Sequence, residues 1–158
     1  MILELSTEDE TREFGRRLAG VLRAGDLIVL DGPLGAGKTV LAQGIGGGLG
    51  VRGDVTSPTF VISRVHPPDP SRGGRLPLVH VDAYRLGGVA DVDDLDLDAS
   101  LPDSVTVVEW GSGKVEQLAD AHLLVRIERR DDDTRVVRLD SRGPGWQERL
   151  TILAGASR

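Results

Sequence analysis

A chain of 158 residues, 39% of them apolar, is long enough for one domain with a sizeable core. No apolar run approaches the roughly 18–20 residues of a membrane span, and Met1 to Glu8 lack a basic stretch followed by an apolar one, so no secretory leader and a cytoplasmic location are expected. The net charge of −6 makes a nucleic-acid clamp, DNA included, a poor candidate, and the absence of cysteine excludes disulfides, thiol catalysis and Cys-based zinc sites.

In chain order, Ile2 to Leu5 reads as a short strand. Thr7 with Glu10 three residues later fits a capping box, and Phe14, Leu18, Val21 and Leu22 recur at helical spacing, which predicts a helix that stops near Ala24-Gly25. Leu27 to Leu30 is an unbroken apolar run between Asp26 and Asp31, as expected of a strand buried on both faces of a parallel sheet. A helix is expected to follow through Val40, Leu41, Ile45 and Leu49. Gly44, Gly46, Gly47 and Gly48 interrupt it at about 1 kcal/mol each relative to Ala, which leaves close packing and fraying both open.

Phe60 to Val65 reads as a strand, residues 67–74 as a mobile hairpin tip, and Leu78 to Val81 as a strand ending at Asp82. Residues 91–98 form at most a short helix. Val105 to Val108 is again a buried strand, ending at Glu109-Trp110. Leu123 to Ile127 and Val136 to Leu139 flank the turn residues Asp131 to Thr134 and read as an antiparallel hairpin, and an amphipathic segment runs from Trp146 to Leu153.

The segment that carries the chemistry is Gly32-Pro33-Leu34-Gly35-Ala36-Gly37-Lys38-Thr39, a complete G-x-x-x-x-G-K-[ST] loop between a buried strand and a helix. Glycines let successive backbone N–H groups turn inward toward a phosphate, and the following helix adds its positive end. Lys38 then serves the β- and γ-phosphates and the Thr39 hydroxyl a Mg²⁺ ion. Only two lysines occur, and the second, Lys114 in Gly111-Ser112-Gly113-Lys114, lacks the rest of the motif.

The predicted fold is therefore one P-loop NTPase-like α/β domain over residues 1–158. Its central sheet is mixed and mostly parallel, flanked by helices, with a C-terminal antiparallel hairpin. Asp82 and Glu109 both end apolar strands on one edge of that sheet, where ligands of open α/β sheets bind. Either carboxylate can hold Mg²⁺ directly or through water, and either can orient a water nucleophile. Trp110 is expected on the opposite face from Glu109 if the strand continues past it. His66, His80 and His122 stand out by no pattern. With no asparagine the chain lacks the N-K-x-D of a GTPase, and Arg129-Arg130 followed by three aspartates makes a poor kinase lid. A compact ATPase is favoured, with a small-molecule phosphotransferase as the alternative.

Four segments together resemble the signature blocks of the TsaE (formerly YjeE) family, in order and spacing over about residues 1–128: Gly35 to Thr39, Ser57 to Phe60, His80 to Leu86, and Val108 to Trp110. The resemblance implies an ATPase of bacterial tRNA N6-threonylcarbamoyladenosine synthesis. Such a protein binds ATP and Mg²⁺, docks on the TsaD–TsaB pair, and hydrolyses ATP weakly until its partners are present; the acidic charge of the chain argues against a large direct contact with tRNA. The resemblance implies Gly35, Ala36, Gly37, Lys38, Thr39 and Val40 at the phosphates, Thr39, Asp82 and Glu109 at the metal, and Lys38, Asp82 and Glu109 in catalysis. It also implies a switch-like segment containing Ser57 and Thr59 near the γ-phosphate, and Glu8 and Thr11 near the nucleotide. Val40 stands where the family often has a second Thr, and Asp93-Asp94-Leu95-Asp96 replaces a Glu-rich stretch.

Overall fold

The computed structural model describes residues 1–33, 35–53, 55, 63–83, 100–110, 115, 119 and 121–156. Among these residues seven strands form one sheet: β1 (Ile2–Leu5), β2 (Leu27–Asp31), β3 (Ser63–His66), β4 (Leu78–Asp82), β5 (Val105–Glu109), β6 (His122–Arg129) and β7 (Arg135–Arg142). Their order is β1-β7-β6-β2-β5-β4-β3. Strands β6, β2, β5 and β4 run parallel, while β3, β7 and β1 pair antiparallel with their neighbours. The expected C-terminal hairpin is present, but it is no appendage. Its first strand β6 lies directly beside β2, so it completes the parallel centre of the sheet.

The described helices α1 (Glu8–Ala19), α2 (Lys38–Leu49) and α3 (Trp146–Ala156) contribute to one core on a single face of the sheet. Phe14, Leu18, Leu41, Ile45, Trp146, Leu150 and Leu153 meet Ile28, Leu30, Val105, Val107, Leu123, Val125 and Ile127 there. The other residues of the same strands, Leu27, Val29, Val79, Val81 and Val108, pack on the opposite face with Leu101 and Val115. Burial on both faces is why β2 reads as an unbroken apolar run and why β5 is interrupted only by Thr106, itself buried. Among the described residues no helix is long and apolar enough to cross a membrane.

Helix α1 begins as its sequence predicts. Thr7 caps it by accepting the Glu10 N–H at 3.1 Å. The Glu10 carboxylate reaches back to the N–H of Ser6 rather than Thr7, so the box is displaced by one residue. The helix ends at Ala19, earlier than its apolar spacing predicts. The N–H groups of Gly20, Val21 and Leu22 bond three residues back, to Arg17, Leu18 and Ala19. That 3₁₀ turn carries Leu22 into the core and prolongs the helical spacing beyond the helix.

The glycines of α2 are resolved in favour of packing. A Cβ at Gly44 would lie 2.1 Å from the Arg12 carbonyl oxygen, and one at Gly48 would lie 2.6 Å from Ala19 Cβ. On α1, a Cβ at Gly15 would meet the Leu41 carbonyl oxygen at 2.6 Å. The two helices thus touch backbone to backbone, which sets how closely α2 can lie against α1. Gly47 faces outward, and a Cβ there meets nothing nearer than Arg16 Nε at 3.8 Å.

Two polar ties anchor the periphery. Buried Asp26, just before β2, accepts from Arg149 of α3 and from the Arg23 N–H, and the Arg149 guanidinium lies 4.1 Å from the Trp146 ring centroid. The loop expected to be a mobile tip is stapled to the end of α2. The Asp69 N–H donates to the Gly50 carbonyl and the Arg52 N–H to the Pro67 carbonyl, both at 2.8 Å. Of the expected strand over Phe60 to Val65 only the part from Ser63 is described, and residues 91–98 lie outside the described residues.

The close helix contact separates two substitutions. Gly47→Ala should stabilise by up to about 1 kcal/mol through helix propensity. Gly44→Ala should cost on the order of 1–3 kcal/mol net, because the helices must move apart to admit the methyl. Urea unfolding of both variants checks the sign of each.

Candidate functional site

The site lies where β2, β5 and β4 reach their carboxyl ends. Their parallel register sets Leu30 level with Glu109, and Glu109 level with Asp82. In a strand, residues two apart share a face. Glu109 therefore shares the helix-bearing face with Val105 and Val107, and Asp82 shares it with Leu78 and His80. The two carboxylates expected at one sheet edge are thus neighbours on one face, above the start of α2.

From Asp31 the chain enters the glycine-rich loop. A Cβ at Gly32 would lie 2.4 Å from the Ile127 carbonyl oxygen of β6, so only glycine lets the loop leave the sheet at this height. Gly37, at φ 114°, is the residue from which α2 starts, and no side chain caps that end. The first N–H groups of α2 are therefore left for an acceptor from outside the helix. Ala36 is buried and Val40 is partly exposed on the first turn of α2.

Lys38 is 5% exposed. Its Nζ donates to the Gly32 and Pro33 carbonyls and lies 3.8 Å from the centroid of the Trp110 ring. Burial pushes the Lys38 pKa down, while the carboxylates of Glu109, Asp31 and Asp82 act in the opposite direction. Trp110 does not point to the far face as expected of a strand that continues. Its φ of 62° ends the strand in a left-handed turn and rolls the indole over the lysine.

Glu109, 4% exposed, is the hub of the cluster. Oε1 accepts from the Thr39 hydroxyl at 3.2 Å, and Oε2 lies 2.6 Å from His80 Nε2. The donors gathered here are hard oxygens: a hydroxyl, the Glu109 carboxylate, and Asp82 at the next strand end. That set fits Mg²⁺, which takes one or two carboxylates and completes its shell with phosphate oxygens and water. Thr39, Asp82 and Glu109 are the residues that would hold it.

Other expected residues fare differently. Thr11 is fully buried, and its Cγ2 lies 3.8 Å from where a Gly37 Cβ would stand, so it does border the loop. Glu8 is exposed on the first turn of α1, and no hydrogen bond or ion pair ties it to the loop among the described residues. Ser57 and Thr59 lie outside the described residues, as does the stretch from Gly111 to Lys114. Sequence reasoning passed over His80 and the hairpin arginines. Arg129 Nη1 and Arg135 Nε come within 3.9 and 3.8 Å of the Cβ positions of Gly35 and Gly37. The period-2 rule signals His80, two residues before Asp82. No local pattern signals the arginines, which reach the loop only because β6 lies beside β2.

A nucleotide phosphate that draws Lys38 into the loop must take it off Trp110. Adding ATP should therefore change tryptophan emission, and Trp110→Phe should abolish the change while leaving the buried Trp146 as background. Fluorescence titration of both proteins checks this; a full response from Trp110→Phe would contradict it.

Residues 5–137 match the family model described as threonylcarbamoyl adenosine biosynthesis protein TsaE, past residue 128 and into β7. The chain is 59% identical over 150 residues to the tRNA threonylcarbamoyladenosine biosynthesis protein TsaE of Streptomyces coelicolor, spanning 91% of this chain and 99% of that one. It is 36% identical over 140 residues to the protein of the same name from Bacillus subtilis, spanning 88% and 84%. The crystal structure of Bacillus subtilis YdiB superposes with a TM-score of 0.81 at 27% identity, covering 100% of this chain and 96% of that one. The phosphate loop, the strand-end carboxylates and these likenesses agree, and the chain belongs to the TsaE family.

Proposed function

We propose that this protein is a Mg²⁺-dependent ATPase of tRNA N6-threonylcarbamoyladenosine modification, slow alone and activated by the TsaD–TsaB pair in the cytoplasm. The observation that carries the site reading is the hydrogen bond from the Thr39 hydroxyl to Glu109 Oε1. It brings the loop's metal-binding hydroxyl and a strand-end carboxylate to one point, at the start of a helix with uncapped N–H groups. The tRNA role rests on the names of the relatives. The partners rest on the family resemblance, and the net negative charge favours contact with tRNA through them.

In this reading, each residue has a task set by its place. Lys38 leaves the Gly32 and Pro33 carbonyls and pairs with the β- and γ-phosphates, whose charge offsets the cost that burial places on the ammonium. The N–H groups of Gly35 to Val40 surround the phosphates. When bound, Mg²⁺ neutralises developing charge on the phosphate oxygens. Thr39, Glu109 and Asp82 would hold their oxygens toward it, and Asp82, level with Glu109, would also orient the attacking water. Thr11 borders the nucleotide beside Gly37, while Glu8 lies farther out on α1. Ser57 and Thr59 sense the γ-phosphate.

Two measurements test this reading. Lys38→Ala should weaken ATP·Mg²⁺ binding on the order of 100-fold, the loss of a charge-assisted contact. Glu109→Ala should keep much of the affinity and lose turnover. Calorimetric titration reads both, and full affinity in Lys38→Ala would sink the assignment. Phosphate release from ATP should be slow for the chain alone and rise strongly with TsaD, TsaB and tRNA. Fast release alone, or no response to the partners, would favour an independent ATPase or phosphotransferase.

A further inference from the structure

Among the described residues, two side chains hold the Glu109 carboxylate. Thr39 engages Oε1, on the side of the loop, and His80 engages Oε2 at 2.6 Å from within the sheet. His80 has no solvent exposure. It stands level with Val107 on the neighbouring strand, one pleat before the Asp82–Glu109 pair, so it approaches Glu109 along the sheet diagonal. An ionised carboxylate only accepts, so the imidazole is the donor through Nε2.

A buried histidine often has no role beyond filling its place, and here the surroundings test that. Level with His80 on the adjacent strand stands Val107, fully buried and apolar, and the buried His66 is close enough to interact with His80 electrostatically. The second nitrogen of His80, Nδ1, is buried without a hydrogen-bond partner among the described residues. An unsatisfied buried polar atom costs about 1–3 kcal/mol. A leucine would fill this position without that cost. What imidazole supplies and leucine does not is the bond to Glu109 Oε2.

We propose that His80 is a positioning residue for the metal-binding carboxylate: by holding Oε2 it fixes the Glu109 side chain so that Oε1 faces Thr39 and the metal. This rests on the reading of Glu109 as a Mg²⁺ ligand. Without His80, Glu109 keeps its place in the strand but its carboxylate can turn away from Thr39. The effect belongs to the metal, and not to the backbone cradle of the phosphates, which His80 does not touch.

The test measures binding of a non-hydrolysable ATP analogue by calorimetry, in EDTA and across a Mg²⁺ series, for the wild type, His80→Leu and His80→Gln. His80→Leu should bind the analogue in EDTA within about twofold of wild type, yet need on the order of 10-fold more Mg²⁺ to reach half of the metal-dependent gain, the usual effect of losing a partner behind a metal ligand. His80→Gln, whose amide N–H can stand near the place of Nε2, should recover most of that shift. If His80→Leu does not fold, His80→Asn, polar but too short to reach Glu109, takes its place with the same expectation. An unchanged Mg²⁺ midpoint, or an equal loss with and without Mg²⁺, overturns the inference while leaving the site intact. A wild type whose binding gains nothing from Mg²⁺ overturns the Glu109 reading and this inference together.

Discussion

The site depends on one register. Because β2, β5 and β4 pair in parallel, Leu30, Glu109 and Asp82 stand at the same height, where the glycine-rich loop leaves the sheet. A slip of one residue in β5 would move Glu109 to the opposite face, away from Thr39, and would send Val108 into its place. Strand β5 has little pattern of its own to prevent this, since it is buried on both faces and only Thr106 breaks its run of valines. The register is held at its end, where the Ala83 N–H donates to the Glu109 carbonyl, the Trp110 N–H donates to the Leu30 carbonyl, and the left-handed turn at Trp110 closes the strand.

Much of this was legible in the sequence where a side-chain pattern and a structural need coincide. The apolar run Leu27 to Leu30, the loop that follows it, and the two strand-end carboxylates are of that kind. The end of α1 was not, because a 3₁₀ turn carries Val21 and Leu22 onward at nearly helical spacing. The place of β6 was hidden for another reason. Its alternation of Leu123, Val125 and Ile127 with outward Arg126 and Glu128 describes its faces. The choice of neighbour is made through its backbone edges, which leave no mark on side-chain pattern. The glycines of α2 could be read either way until α1 was placed against them. The place of Trp110 hung on whether β5 continued, and nothing local announces the left-handed turn that ends it there.

The charges of the site follow from the same layout. Lys38 stands among Glu109, Asp31 and Asp82, in a pocket where burial opposes its charge and the carboxylates support it. Arg129 and Arg135 border the opposite side of the loop, carried there by the hairpin. A chain of net negative charge thus gathers cations beside one loop while its remaining arginines are spread among carboxylates. Locally the balance suits a ligand that carries both phosphate charge and a divalent ion.

The strand order also governs how such a chain can be assembled. Among the described residues strand β1 pairs with β7 alone, and β2, which carries the phosphate loop, has β5 and β6 as neighbours. In a polypeptide growing from its amino end, β2 stays unpaired until Val105 to Glu109 have been made, and β1 until Arg135 to Arg142. Among the described strands the β3–β4 hairpin is the earliest pairing the order permits, preceded only by the single bridge between Val51 and Pro68. Closing the long intervening loops comes first and is rewarded late, the condition under which folding is slow. Ribosomal synthesis must therefore deliver nearly the whole sheet before its central loop has walls, and for that interval two bare strand edges are open to misplaced partners.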